Sequence, residues 1–145
     1  MKIAIGCDPN AADFKNALIP FIKGLGHDCD DFGSEDPIYA NVAIAVAEDV
    51  AAGGHDRGIL ICGTGIGVGI AANKVKGAYA ATIGDVYQAK RAQLSNNANI
   101  ITMGAQVIGI ELGKCLVEAY LSECYEDNPR SAPKVARIAQ YEKEH

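Results

Sequence analysis

Cys62-Gly63-Thr64-Gly65-Ile66-Gly67 is the stretch best equipped for chemistry, a thiol placed directly after the apolar run Ile59-Leu60-Ile61 and directly before alternating glycines. A strand that breaks into a glycine turn and then a helix leaves backbone N–H groups unpaired beside the positive end of a helix dipole, a setting that suits a phosphate or an oxyanion. The same setting favours the thiolate of a cysteine. Cys62 therefore reads as a candidate base or nucleophile, with the amides behind it as a candidate anion cradle. The plainer alternative is a tight turn with close helix–sheet packing and Cys62 as a small buried hydrophobe. The glycines do not fit the dinucleotide pattern G-x-G-x-x-G, because Val68 and Ile70 stand where a third glycine would fall. No Walker-type G-x-x-x-x-G-K-[ST] occurs either, which leaves a small anionic ligand.

A second polar group sits at an equivalent position. Asp8 follows the apolar run Lys2–Cys7, and its competing role is helix capping, which Asn10 could also perform.

The elements that must hold these groups alternate. Strands are expected at Lys2–Cys7, His27–Phe32, Gly58–Cys62, Ala78–Ile83 and Ile100–Met103. Helices are expected at Ala11–Gly24, Tyr39–Ala52, Gly65–Lys74, Val86–Ser95, Val107–Leu121 and Ala132–Glu142, with Pro20 a local penalty inside the first. This order predicts a single-domain α/β fold: a doubly wound, Rossmann-like, five-stranded parallel sheet with helices on both faces and a C-terminal helix, spanning residues 1–145. Ligands of such sheets bind at the carboxyl ends of the strands. Asp8 and Cys62 end strands one and three, which that winding makes neighbours.

Composition narrows the partners. A chain of 145 residues, 49% hydrophobic and 21% charged, suits one domain with a substantial core. Its net charge of -5 and lack of any basic stripe argue against nucleic acid and anionic membranes. The chain shows no charged-then-apolar leader and no apolar run of membrane-spanning length, so a cytoplasmic protein is expected. Five scattered cysteines without C-x-x-C spacing read as reduced thiols, and three histidines outside any ligand pattern give no metal site.

Five segments carry a resemblance: Gly6-Cys7-Asp8, Cys62 to Gly67, Ala71-Ala72-Asn73-Lys74-Val75, Asn96-Asn97-Ala98-Asn99 and Gly104-Ala105-Gln106-Val107-Ile108-Gly109. In order and spacing they resemble the family of ribose-5-phosphate isomerase type B and galactose-6-phosphate isomerase. The resemblance implies an aldose–ketose sugar-phosphate isomerase that needs neither metal nor cofactor and works as a homodimer or dimer of dimers with shared active sites. It implies Cys62 and Thr64 as catalytic residues. Asp8, Asn10, Tyr39, Gly63, Gly65, Ile66, Gly67 and Asn96 become substrate contacts, and Arg130 and Lys134, one helical turn apart and so able to face one anion, the phosphate ligands. Moving a proton between C1 and C2 needs one base near both carbons and donors for the oxygen that gains charge in the cis-enediolate. Cys62 and the amides of Gly63 to Gly67 match those two needs.

Departures from the family pattern point to the substrate. Asp8-Pro9-Asn10-Ala11 stands where the family has Asp-His-Ala-Gly, Ser95 replaces a histidine that assists ring opening, and Gln106 replaces an arginine often found at the phosphate. A tetrose with its phosphate on O4 cannot close a five-membered ring and needs no ring-opening acid. Leu94-Ser95-Asn96-Asn97-Ala98 and Arg130-Ser131-Ala132 also resemble tetrulose-4-phosphate isomerases of the family. Interconversion of erythrulose-4-phosphate and erythrose-4-phosphate is therefore the favoured reaction, with ribose-5-phosphate or a hexose 6-phosphate as the alternative substrate. A non-catalytic sugar-phosphate-binding subunit is the alternative of another class, and the presence of Cys62 and Thr64 argues against it.

Overall fold

The computed structural model describes all 145 residues. In chain order they form β1 (Lys2–Cys7), a 3-10 turn (Pro9–Ala11), α1 (Ala12–Gly24), β2 (Asp28–Asp31), α2 (Tyr39–Ala51), β3 (Arg57–Cys62), α3 (Ile66–Ala72), β4 (Ala80–Thr82), α4 (Val86–Leu94), β5 (Ile100–Gly104), α5 (Ile110–Leu121) and α6 (Ala132–Glu144). All strand pairs are parallel, in the order β2-β1-β3-β5-β4. The expected α/β architecture is the one observed, and β1 and β3 are neighbours.

Burial explains the strand sequences. The inner strands β3 and β5 are buried at every position, as strands covered on both faces are, whereas edge strand β2 buries only Cys29. Ile3, Ile5, Ile59, Ile61, Ile101 and Met103 face one way and pack with Phe14 and Leu18 of α1 and Leu116 and Tyr120 of α5. Ala4, Leu60, Cys62 and Ile100 face the other way, onto Val46 and Val50 of α2 and Val68 of α3. The period of two along each strand thus sends Cys62 to the face covered by α2 and α3.

Several elements are shorter than the sequence pattern suggests, and each loss has a local cause. α3 stops at Ala72 rather than Lys74, because the Asn73 carboxamide leaves the helix to pair both backbone groups of Ala80 at 2.8 and 2.9 Å, acting as a strand mimic on the free edge of β4. β4 begins only at Ala80, since the Tyr79 N–H is held by the Asn99 side chain instead of a ladder. α5 begins at Ile110 because the N–H groups of Val107 and Ile108 fold back onto the Gly104 carbonyl. The first helical turn after β1 is a 3-10 turn, and β2 lacks His27 and Phe32. α1 continues through Pro20.

Two contacts fix the far side of the sheet. The buried Arg57 guanidinium donates to the carbonyls of Tyr120 and Glu123 at 2.7 and 2.6 Å and lies over the Tyr120 ring, so a cation meets the negative end of α5. α6 buries none of its residues; Glu142 ties it to the sheet by accepting from the Tyr79 hydroxyl at 2.6 Å and the Gly77 N–H at 2.8 Å. No helix is long and apolar enough to cross a membrane.

Candidate active site

β3 delivers Cys62 to the carboxyl edge of the sheet, and the residues after it turn away through Gly65, whose φ of +79° is open to glycine at little cost. Cys62 is 5% exposed, and its Sγ accepts a hydrogen bond from the Gly65 N–H at 3.1 Å. The Thr64 Oγ1 accepts from the Ile66 N–H at 3.2 Å, which leaves its own proton free to donate from an exposed position. The N–H groups of Gly63, Thr64 and Gly67 donate to no acceptor in the chain. A sulfur with an amide donor aimed at it, beside three uncommitted amides and a hydroxyl, is an arrangement that stabilises negative charge.

The glycines are there because backbone and side chains press on them. A Cβ at Gly65 would come within 2.8 Å of the Met103 carbonyl carbon, and one at Gly104 within 2.6 Å of the Thr64 backbone, so the turn lies directly on β5. A Cβ at Gly67 would overlap the Tyr39 phenol, which places the exposed Tyr39 side chain across the start of α3. The Gln106 carboxamide lies over Gly63, 3.2 Å from where a Cβ would be, and the Gln106 N–H donates to the Gly63 carbonyl at 3.0 Å.

Asp8 stands at the end of β1, its N–H bonded to the Ile61 carbonyl at 3.1 Å, and its carboxylate caps the 3-10 turn through the Ala11 N–H at 3.1 Å. Asp8 therefore performs the capping role, Asn10 is exposed and caps nothing, and one Asp8 oxygen is left for a ligand.

The remaining expected residues lie apart from the cradle. Arg130 is in the turn before α6 and Lys134 in its first turn, so the two are not one helical turn apart as their spacing suggests, and that part of the expectation is corrected. It lines a cavity of about 480 Å³ with Arg91, Asn128 and the buried Ser131, while Asn96 lines one of about 140 Å³ with Val135 and Ile138 of α6. Neither cavity includes Cys62 or the glycines after it.

Three polar residues around the cradle were not singled out from sequence as site residues. Gln106 reads from sequence only as a replacement, and nothing there assigns Thr82 or Thr102 a role. The one available signal was Thr102 itself, a hydroxyl inside the otherwise apolar strand Ile100-Ile101-Thr102-Met103.

Comparison with known proteins decides the family. The family described as Ribose/Galactose Isomerase matches residues 3–138. The chain belongs to that family. It is 46% identical over 146 residues to the D-erythrulose-4-phosphate isomerase of Pectobacterium atrosepticum, covering 98% of this chain and 95% of that one. It is 47% identical over 138 residues to the ribose-5-P isomerase B of Listeria innocua, covering 93% of each. The solved ribose-5-phosphate isomerase B of Clostridium thermocellum superposes with a TM-score of 0.93 at 38% identity over 99% of both chains. Membership of this family agrees with the resemblance carried by the five sequence segments.

Proposed function

We propose that the chain is an aldose–ketose isomerase of a small sugar phosphate and that Cys62 is its proton-transfer base. The observation that carries this reading is the Gly65 N–H on the Cys62 sulfur beside the three free amides of Gly63, Thr64 and Gly67. The Cys62 thiolate removes the proton from C2 of the open-chain aldose, and the electron pair moves into a C1–C2 double bond. The amides hold the resulting cis-enediolate, with Thr64 donating to a sugar oxygen. The Cys62 thiol then returns its proton to C1, while the proton on O2 passes to O1 to leave the ketose. Asp8, Asn10, Tyr39, Ile66 and Asn96 contact the sugar, and Arg130 and Lys134 bind its phosphate.

Erythrulose-4-phosphate is the substrate we assign. Ser95, in the place of the family's ring-opening histidine, accepts a hydrogen bond from the Arg91 Nε at 2.6 Å, so its oxygen is engaged by a cation and is a poor base. An acyclic tetrose phosphate needs no base there. The relative from Pectobacterium atrosepticum, named for this substrate, supports the same assignment; the one from Listeria innocua supports ribose 5-phosphate as the second reading. Steady-state kinetics on both phosphates decide between them: kcat/KM is expected to be higher for the tetrulose phosphate, and a preference for the pentose phosphate overturns the assignment. Loss of C2 deuterium exchange in Cys62→Ala, with retained binding of inorganic phosphate, tests the base.

The site is completed between two copies of the chain. The separation of Arg130 and Asn96 from the cradle supports this, as does α6, on which Ile138 and Tyr141 are 52% and 55% exposed. Mixing inactive Cys62→Ala with inactive Arg130→Ala restores activity if each site draws on two chains. Failure to complement, with both variants dimeric by sedimentation, removes the shared site.

A further inference from the structure

We propose that Thr102 and Thr82 are positioning residues that hold the Gly65 N–H on the Cys62 sulfur. This inference deepens the assignment of Cys62 as the base and rests on it.

The two threonines face each other across the β4–β5 pair. The Thr102 Oγ1 donates to the Gly65 carbonyl at 2.7 Å, and Thr102 is fully buried. The Thr82 Oγ1 lies 2.8 Å from the Thr102 Oγ1 and 3.3 Å from the same carbonyl. A carbonyl only accepts, so the short Thr102 contact commits the single Thr102 proton to it, and Thr82 must then be the donor between the two hydroxyls. The protons therefore run in one direction, from Thr82 to Thr102 to Gly65, and each bond polarises the next.

The Gly65 carbonyl does not need these donors to be satisfied. It already accepts from the Gly69 N–H in the first turn of α3, at 3.3 Å. The hydroxyl bond is much the shorter and draws the carbonyl toward β5. The carbonyl and the N–H of Gly65 sit on the two peptides that this residue joins, so fixing one at φ +79° fixes the aim of the other, and that other is the donor on Cys62 Sγ at 3.1 Å. Glycine offers no side chain to hold this conformation, and its freedom makes an external hold worthwhile. Contact of the turn with the Met103 backbone sets its depth, and the threonine pair sets its rotation.

The test is Thr102→Val in the full-length enzyme, with Thr102→Ser and Thr82→Val beside it. Two curves are read: peptide-resolved labelling of Cys62 by iodoacetamide against pH, and kcat/KM against pH. In Thr102→Val the midpoint of Cys62 labelling and the acid limb of kcat/KM are expected to move up by about half to one pH unit. The kcat is expected to fall about tenfold with KM nearly unchanged, less than direct loss of an oxyanion donor would cost. Thr102→Ser keeps the hydroxyl and restores both curves, while Thr82→Val shifts them in the same direction by less. A Thr102→Val labelling curve that superposes on the wild type overturns the proposal, whatever the turnover. If Thr102→Val does not fold, the exposed Thr82, on the edge strand, carries the same test, and an unmoved Thr82→Val curve overturns it. Turnover by Cys62→Ala would remove the base assignment instead, and the labelling curves report on the threonine pair independently of that result.

Discussion

Cys7 and Cys62 end neighbouring parallel strands, both buried, and yet only Cys62 has a backbone amide aimed at its sulfur. Cys7 is 1% exposed, and burial pushes its thiol up to about 11, against a smaller pull from Lys15. Asp8-Pro9 follows it, and the N–H of the Asp8 peptide goes to Ile61, not to the sulfur. Cys62 is followed by glycines that let the chain turn back so that an amide donates to its Sγ. The difference lies in the two or three residues after each thiol. Lys15, next to Cys7, spends its charge on Asp31 at 2.8 Å, and the β1–β2 side is held by side-chain ion pairs where the β3–β5 side is held by backbone amides and hydroxyls.

Exchanging the fates of the two cysteines gives the largest expected effect. Cys62→Ala should lower kcat by about 10³-fold or more, as loss of a general base does. Cys7→Ala should leave kcat within about twofold and cost about 1 kcal/mol of stability, read by denaturant titration. Comparable losses of turnover in both variants would end the distinction.

Gly65→Ala comes next. It forces a Cβ into the Met103 backbone and a side chain into the left-handed region. We expect kcat to fall by about 10²-fold, because the donor on the sulfur is displaced. Steady-state kinetics on the folded variant measure it, and an alanine enzyme with native kcat would show that the amide does not matter.

Arg57→Met tests the opposite edge of the sheet, where no chemistry is expected. Removing a buried cation that binds the Tyr120 carbonyl near the end of α5 and the Glu123 carbonyl just beyond it should cost about 2 to 3 kcal/mol in chemical denaturation while kcat of the folded enzyme is unchanged.

The smallest effect concerns pH on the β2 side. His55 bonds Asp30 through Nε2 at 2.7 Å and Asp49 through Nδ1; burial opposes its protonation, but the two carboxylates outweigh burial and raise its pKa above the ordinary value of 6.5. A raised folded-state pKa stabilises the fold fully below the unfolded value and loses that contribution as pH rises through the folded one. Thermal unfolding should therefore show a small decline in Tm from about pH 6.5 upward, absent in His55→Gln. A decline of equal size in His55→Gln would assign it to another group.

The distinction between the two thiols was legible in part. β1, β3, β4 and β5 follow from apolar runs and the glycines after Cys62 mark the turn, because both signals lie within a few consecutive residues, whereas β2, Asp28-Cys29-Asp30-Asp31, has no such run. Thr82 and Thr102 are twenty residues apart and meet only through the β4–β5 register, which a linear pattern does not contain. Tyr39 over Gly67 depends in the same way on α2 packing beside α3. Spacing alone misleads at Arg130 and Lys134, where four residues suggest a helical turn although the helix expected and found from Ala132 leaves Arg130 outside it.

The glycine-to-backbone contact at Gly65 and Gly104 also bears on how such an enzyme can change its diet. The turn after Cys62 is pressed onto β5 and leaves no room for a side chain at Gly65 or Gly104, while Ser95 and Arg130 sit on other segments, at the end of α4 and before α6. Changes at those two positions can therefore be made without disturbing the packed turn, which leaves room for a shift of substrate.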